Sequence, residues 1–322
     1  MLARPHIIAT LCGLIAVAPM GYQALRAPTT ADARAVPDGT FEGAWREVRV
    51  RLTRRDGTVI VVRPVASVYI ATGTHYARMA TLSPSDTSSV PVCDQFWGTS
   101  GRYRLSHDTL TLTPTVGKDA RVAAGDSITY HVRTKGDTLW LSGRSSEHYL
   151  RNDGRLIPDT AGPLVAEEIL LVRAAPGAAP ARSQGARSRA ASSVSTFPDG
   201  TYEGAWRIIE VRVTFTDGSL HVFHQDPSLF LATRTHYSKL AMLGFATKGS
   251  NPCNKFYGNG GRYEVSHDTL TYYPIVGKDP DLPEKEKDGE RYLVKARGDT
   301  LWMKWINGEF PSHETWFVRV PK

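Results

Sequence analysis

A Thr-His-Tyr triplet occurs twice in the chain and is its most conspicuous polar motif. One copy contains His75 and Tyr76, and the other contains His236 and Tyr237. Imidazole and phenol groups can bind a ligand through hydrogen bonds. A duplication also keeps residues that only folding requires. The motif therefore leaves two alternatives, a contact with a ligand or partner and a hydrogen bond at the end of a strand.

The remaining histidines do not predict a metal or catalytic site. His221 and His224 have a spacing found in metal sites, but no Cys or carboxylate joins them at ligand spacing. His107 and His267 each precede an Asp in a sequence typical of tight turns. The chain also lacks a nucleophile elbow, a phosphate loop and a metalloprotease helix. We expect no catalytic residues, no metal, no cofactor and no enzymatic activity.

Aromatic residues in equivalent positions are the other candidate contacts. Trp97 and Tyr257 match each other in the two halves of the chain. Trp305 and Trp316 are further candidates, although both also suit a core. Large aromatic side chains of this kind can contact a partner chain or a ligand. We expect Trp97 and Tyr257 to contribute to such a surface.

These residues lie in two copies of one sequence pattern. Gly43-Ala44-Trp45 returns as Gly204-Ala205-Trp206, and the segment 136–140 returns as 298–302 with Gly-Asp-Thr-Leu-Trp in both. The motifs recur in the same order and at nearly the same spacing, so the strands have kept their lengths. The pattern predicts four regions: a leader (1–35), a first domain (36–174), a linker (175–196) and a second domain (197–322).

The leader and the linker differ in composition from both domains. Arg4 precedes an apolar run from Ile7 to Met20, and a small-residue region around Ala31 to Ala35 follows, as in a secretory signal. The run is also close to the length of an apolar helix that spans a bilayer. The protein is therefore expected in the periplasm, either released by cleavage or anchored to the inner membrane. The linker is basic and small-residue-rich, which predicts a flexible tether.

Alternating apolar residues predict strands throughout both domains. Ile209, Val211 and Val213 alternate with other residues and are expected to face a core. The turn Asp217-Gly218 follows them, as Asp56-Gly57 follows the equivalent run, and this is a hairpin signal. No helix of core size is evident. The predicted fold is all-β, with two tandem antiparallel up-and-down barrels and an N-terminal apolar helix.

The Gly-x-Trp element and a late arginine in each copy resemble those of lipocalins. The elements are those of Trp45 and Trp206, and the arginines are Arg173 and Arg319 in the last strands. The later half of each copy also looks like bacterial lipocalin-like domains of unassigned function. The resemblance implies that each arginine packs across its indole at the closed end of a barrel. Trp206 has the opposite parity to Ile209, so a bulge must turn it inward.

Composition and the absence of catalytic motifs leave two functional hypotheses. The net charge of +7 is modest and no Lys/Arg stripe interleaves with aromatics, which argues against nucleic-acid binding. The first hypothesis is a membrane-tethered structural subunit that binds other protein subunits, for example an extrinsic subunit of a bacterial respiratory or photosynthetic complex. The alternative is a periplasmic carrier of a small apolar ligand, since a barrel of about eight strands can hold one.

Two cysteines outside the leader have two alternative states. Cys93 and Cys253 occupy equivalent positions, one in each domain, so no pair forms within a domain. They are either unpaired thiols or an interdomain bridge. A bridge requires the two barrels to present the same loop to each other.

Overall fold

The computed structural model describes most of both domains. The described residues are 41–81, 95–117, 127–144, 164–175, 202–225, 227–242, 256–279, 282–285, 287–306 and 310–321. The leader with its expected apolar helix, the linker beyond Ala175, and Cys93 and Cys253 lie outside these residues. Within them, no helix is long and apolar enough to cross a membrane.

Within the residues that the structure describes, each domain contains nine strands. The first domain has β1 (Gly43–Arg54), β2 (Val59–Val62), β3 (Ala66–Thr72), β4 (His75–Thr81), β5 (Phe96–Ser106), β6 (Thr109–Gly117), β7 (Ile128–Lys135), β8 (Thr138–Gly143) and β9 (Leu164–Arg173). The second has β10 (Gly204–Thr214), β11 (Leu220–Phe223), β12 (Ser228–Ala232), β13 (His236–Met242), β14 (Phe256–Ser266), β15 (Thr269–Gly277), β16 (Glu290–Arg297), β17 (Thr300–Trp305) and β18 (Ser312–Arg319). Among the described residues the only helix is the short α1 (Leu282–Lys285).

Both sheets close into antiparallel up-and-down barrels. β1 pairs with β9 along one edge, while its other edge pairs first with β3 and then with β2. β2 and β3 therefore occupy one strand position, and nine strands form an eight-position barrel. The second domain repeats this arrangement, with β10 closing on β18. The prediction of two tandem barrels is confirmed. We call the strands β1–β9 barrel 1 and the strands β10–β18 barrel 2.

A bulge in the first strand of each barrel decides which residues face the core. The register of β10 against β18 shifts between Ile208 and Glu210. Trp206 and Ile208 face inward before the bulge, and Val211 faces inward after it. The expected bulge is confirmed. The assignment of Ile209 to the core is wrong, because this residue occupies the bulge and is 37% exposed.

The two ends of each barrel differ. We call the end that holds Trp45 or Trp206 the closed end, and the opposite end the open end. Tight turns connect the strands at the closed end, and His107 and His267 adopt positive φ angles of 58° and 57° in two of them. The turn interpretation of these histidines is confirmed, since such angles are those of tight hairpin turns. The longer connections lie at the open end.

The two barrels pack against each other through the same face, as in an isologous dimer. Met79 and Phe96 of barrel 1 meet Leu240 and Phe256 of barrel 2, and the two phenyl centroids are 5.9 Å apart. The remaining residues of this cluster also come mostly in equivalent pairs: Ala44 with Ala205, Val68 with Leu229, Ile70 with Leu231, and Val116 with Val276. Both barrels belong to one compact unit. A flexible linker alone does not predict this interface.

Candidate functional site

The closed ends are built around a tryptophan and an arginine. The guanidinium carbon of Arg173 lies 3.7 Å from the ring centroid of Trp45, and that of Arg319 lies 4.1 Å from the ring of Trp206. Each indole also donates a hydrogen bond to a backbone carbonyl, which is Phe41 O for Trp45 at 2.9 Å. The contact implied by the resemblance is present in both barrels. It closes the barrel and leaves the indole fully buried.

The Thr-His-Tyr motif splits between the two faces of its strand. Tyr76 and Tyr237 belong to the two barrel cores, so His75 and His236 face away from the interior. Each imidazole Nδ1 shares a hydrogen bond with the hydroxyl of the preceding threonine, at 3.0 Å and 2.8 Å. Burial, reinforced by a neighbouring arginine, lowers the pKa of each histidine to about 4. Both are neutral at pH 7, which favours the strand-end role.

A cleft of about 850 Å³ lies between the closed ends of the two barrels. Equivalent residues of both copies line it, including Gly43 and Gly204, and His75 reaches it from barrel 1. Two of its three arginines are already engaged, since Arg173 and Arg319 stack on the tryptophans and donate to backbone carbonyls. These two arginines are therefore committed to holding the barrels closed.

The interior of barrel 1 contains a paired cluster of charges. Arg78 Nε lies 2.7 Å from Glu47 Oε2, and Arg78 Nη1 lies 3.5 Å from Glu167 Oε1. The hydroxyl of Tyr130 donates to Glu167 Oε2 at 3.0 Å. All four residues are buried. Burial raises the pKa of Glu167, and the opposing effects of Arg78 and Tyr130 are smaller. The cation therefore has two carboxylate partners within the barrel.

Trp97 belongs to this interior and not to the outer surface. The guanidinium carbon of Arg78 lies 4.2 Å from the Trp97 ring centroid. Thr99 is directly opposite Arg78 in the sheet, and Trp97 is on the same face of β5 as Thr99. The sequence analysis proposed that Trp97 contacts either a ligand or a partner chain. Its inward position is compatible with a ligand inside the barrel and not with a partner outside it.

Barrel 2 carries a different set of residues at the same positions. Lys239 takes the place of Arg78, because each lies two residues after the inward tyrosine of its motif. Ile208 takes the place of Glu47, two residues after the tryptophan. His313 takes the place of Glu167, since they pair with Val213 and Leu52 in equivalent registers. Barrel 2 thus has a central cation without either carboxylate.

Lys239 has an aromatic neighbour in place of an ion pair. Its Nζ lies 5.4 Å from the ring centroid of Tyr257, which faces the interior like Trp97. Within the described part of the chain, no carboxylate oxygen approaches this Nζ to 4.0 Å and no hydrogen bond reaches it. Burial lowers the pKa of Lys239, and Glu290 opposes that effect. Tyr292 OH donates to Glu290 Oε2 at 3.1 Å.

Two further polar groups beside Lys239 have atoms without partners. Asn259 lies directly opposite Lys239 in the sheet and is 3% exposed. Its Nδ2 donates to Tyr257 OH at 2.8 Å, but its Oδ1 is buried and accepts no hydrogen bond from the described residues. The buried Nδ1 of His313 likewise lacks a partner there. Burial and the charge of Lys239 lower the pKa of His313 to about 4. Barrel 2 therefore has, near its open end, a cluster of polar side chains whose hydrogen-bonding atoms are only partly satisfied by the described residues.

The sequence analysis missed the residues at the centres of both barrels. Arg78 and Lys239 each lie two residues after a tyrosine that faces a core, so strand alternation alone places them inside. Glu47 and Ile208 require the bulge to be located first. Glu167 and His313 require the register of the last strand, which no local pattern shows.

Comparisons with known proteins support no assignment beyond this geometry. No family model matches the chain, and no curated protein sequence matches it significantly. A lipocalin-like protein from Bacteroides uniformis is 12% identical, with 38% of this chain and 100% of that chain covered and a TM-score of 0.24. An uncharacterized protein from Bacteroides eggerthii is 14% identical, covers 37% and 99%, and has a TM-score of 0.23. A DUF3598 family protein of unknown function from Nostoc punctiforme is 10% identical, covers 87% and 96%, and has a TM-score of 0.22.

The architecture follows from the barrels themselves. Each is closed, antiparallel and up-and-down, with a tryptophan and an arginine stacked at one end. The described residues contain no group of three or more His, Cys, Asp or Glu side chains arranged to hold a metal ion. The chain is a tandem of two lipocalin-like barrels.

Proposed function

We propose that the chain is an exported, non-enzymatic binding protein that holds a small, largely apolar molecule in the open end of barrel 2. One observation carries the proposal. The central cation of barrel 1 forms ion pairs with two buried carboxylates, whereas among the described residues the central cation of barrel 2 forms none, and Asn259 and His313 beside it each keep a buried atom without a hydrogen bond. A bound molecule would supply the missing partners.

The energetic argument compares the two copies directly. A buried polar group without a hydrogen bond costs about 1–3 kcal/mol. Barrel 1 compensates its central cation with two buried carboxylates, because Glu47 and Glu167 are held against Arg78, although Glu167 Oε1 contributes an ion pair and no hydrogen bond. Barrel 2 keeps Asn259 and His313 instead, each with an atom that accepts or donates nothing among the described residues. Such atoms are expected where a ligand completes the site.

The positions of the aromatic residues favour a carrier over a structural subunit. Trp97 and Tyr257 face barrel interiors, and Trp305 packs on the core of barrel 2. Of the aromatics expected to contact another protein, only Trp316 lies on an outer face, where Arg212 covers it at 4.6 Å. Retention of the leader as an inner-membrane anchor is compatible with either function. Intact-mass measurement of the native protein tests it, and the anchor requires a chain that begins before Ile7.

A neutral fluorescent probe tests the binding function in the full chain. We expect N-phenyl-1-naphthylamine to bind saturably, with a rise in its emission. Ala241 lies inside barrel 2 beside the site, and Ala80 holds the equivalent place in barrel 1. Ala241→Leu should abolish probe binding, and Ala80→Leu should leave it unchanged. Circular dichroism checks that both variants fold. Equal loss in both variants, or no binding to the parent chain, would reject the proposal.

A further inference from the structure

We infer that the molecule held by barrel 2 carries an anionic group, a carboxylate or its equivalent, that pairs with Lys239. This inference rests on the proposed function and names the chemical class of its ligand. The juxtaposition that supports it is an inward ammonium beside Asn259 and His313, with both carboxylate positions of the equivalent cluster lost.

Lys239 lacks both of the ion-pair partners that Arg78 has, and the one carboxylate that acts on it, Glu290, accepts a hydrogen bond from Tyr292 and lies beyond ion-pair distance. Glu47 and Glu167 neutralise Arg78 in barrel 1. In barrel 2 their places are taken by Ile208, which is apolar, and His313, which is neutral at pH 7. A charge in a low-dielectric interior is costly unless it is paired. The ring of Tyr257 offers a cation–π contact at 5.4 Å, which compensates only in part.

The neighbours of Lys239 suit an organic acid. A carboxylate has two oxygens, of which one can accept from the ammonium and the other from an imidazole N–H. His313 has a buried Nδ1 with no partner among the described residues, and a neutral imidazole can carry its proton there. Asn259 Oδ1 could then accept from a hydroxyl or amide of the same ligand. Tyr292 and Trp305, whose rings stack at 6.4 Å, provide apolar surface for its body.

A matched pair of ligands separates the anion from the apolar body. Decanoate and decanol have the same chain length and differ only in the head group. Calorimetric titration of the full chain at pH 7 should show decanoate binding about tenfold more tightly or better, the value of one charge-assisted hydrogen bond. Lys239→Met should reduce decanoate affinity to that of decanol and leave decanol affinity unchanged. Lys239→Arg should keep the preference.

Two controls make the outcome decisive. Lys295 is an exposed cation on the outer face of the same barrel, 5.2 Å from the ring of Trp302, so Lys295→Met should leave both affinities unchanged. Lys239→Met should also leave the free energy of unfolding equal or higher, since it removes a desolvated charge that forms no ion pair with any described residue. Equal binding of decanoate and decanol, or a decanoate preference that survives Lys239→Met, would overturn the anionic ligand and leave the carrier intact. Loss of all binding to the parent chain would instead reject the carrier.

Discussion

At the scale of single residues, duplication has placed unlike side chains in equivalent surroundings. Glu47 and Ile208 occupy the same position of the first strand, and each is buried. One serves as the main counter-charge of Arg78, and the other extends an apolar wall. The energetic cost of a buried charge depends on its partners. The difference between Glu47 and Ile208 therefore has to be interpreted together with the cation two strands away in each barrel.

Glu47→Ile tests this dependence. The change copies barrel 2 into barrel 1 and leaves Arg78 buried with one carboxylate. We expect the free energy of unfolding to fall by about 3–5 kcal/mol, as when a buried ion pair loses one member. Urea denaturation followed by tryptophan fluorescence measures it. The matched change Ile208→Val removes only a methyl group and should cost about 0.5–1.5 kcal/mol. A loss from Glu47→Ile no greater than this would show that Arg78 does not depend on Glu47.

The buried histidines predict a loss of stability in mild acid. His75, His236 and His313 have pKa values near 4 in the folded chain, below the ordinary value of 6.5. Between these values the unfolded chain binds protons that the folded chain does not, so stability decreases as the pH falls from about 6.5 toward 4. Urea midpoints at pH 7 and pH 5 should show the decrease. His236→Asn keeps a polar group near Thr235 and should make the decrease in stability between pH 7 and pH 5 smaller. An equal decrease in the variant and the parent chain would contradict the lowered pKa of His236.

At the scale of elements, the bulge in the first strand connects the closed end to the rest of the barrel. Before the bulge, Trp206 and Ile208 face inward, and after it Val211 does. A strand without the bulge would point either the tryptophan or the valines into solvent. The extra residue, Ile209, is accordingly exposed. The stacked arginine then covers the indole at the barrel end.

Arg173→Met tests the contribution of that arginine. Arg173 stacks on Trp45 and donates from Nη1 to the carbonyl of Glu42. Loss of the cation–π contact should lower the free energy of unfolding by about 0.5–2 kcal/mol. Thermal melts of the variant measure the change. Arg46 is adjacent and exposed, so Arg46→Met provides the control and should change stability little. Equal effects would indicate that the stacked geometry contributes nothing.

At the scale of the whole molecule, the interface makes the two barrels one body. Leu240, Phe96 and Phe256 are buried between the barrels and not inside either of them. Apolar burial of this kind couples the stability of two domains. It also fixes the orientation of barrel 2 relative to barrel 1, so a ligand at the open end of barrel 2 is presented in a fixed direction.

Cooperative unfolding is the expected consequence. The full chain should melt in a single calorimetric transition whose van't Hoff and calorimetric enthalpies agree. Leu240→Asp places a charge in the interface while leaving both barrel interiors unchanged, and it should split the transition into two. Lys295→Asp, on the outer face of barrel 2, should keep one transition. Two transitions in the parent chain would mean that the barrels fold independently.

The interface also bears on the two cysteines. Phe96 and Phe256 begin equivalent strands and meet at 5.9 Å, and Cys93 and Cys253 precede them by three residues each. The condition for an interdomain bridge, that both domains present the same region to each other, is met by these strands. In the oxidising compartment that the leader predicts, we expect Cys93 and Cys253 to be bridged, which leaves Cys12 as a thiol in a chain that keeps its leader. Alkylation under denaturing, non-reducing conditions with peptide mapping measures each thiol, and modification of both Cys93 and Cys253 would establish the unpaired state.

The sequence by itself determined the elements that depend on near neighbours. The repeat, the strand alternation, the Asp-Gly and His-Asp turns and the need for a bulge near Trp206 could all be predicted, because period and turn chemistry are local properties. The resemblance added the closure by Arg173. Tertiary structure alone decided which polar groups share an interior and which apolar faces join the barrels. Arg78, Glu47 and Glu167 are far apart in the chain, and their pairing depends on barrel closure and register. Lys239 lacks such carboxylates for the same reason, since only the closed barrel shows that Ile208 and His313 occupy the positions of Glu47 and Glu167.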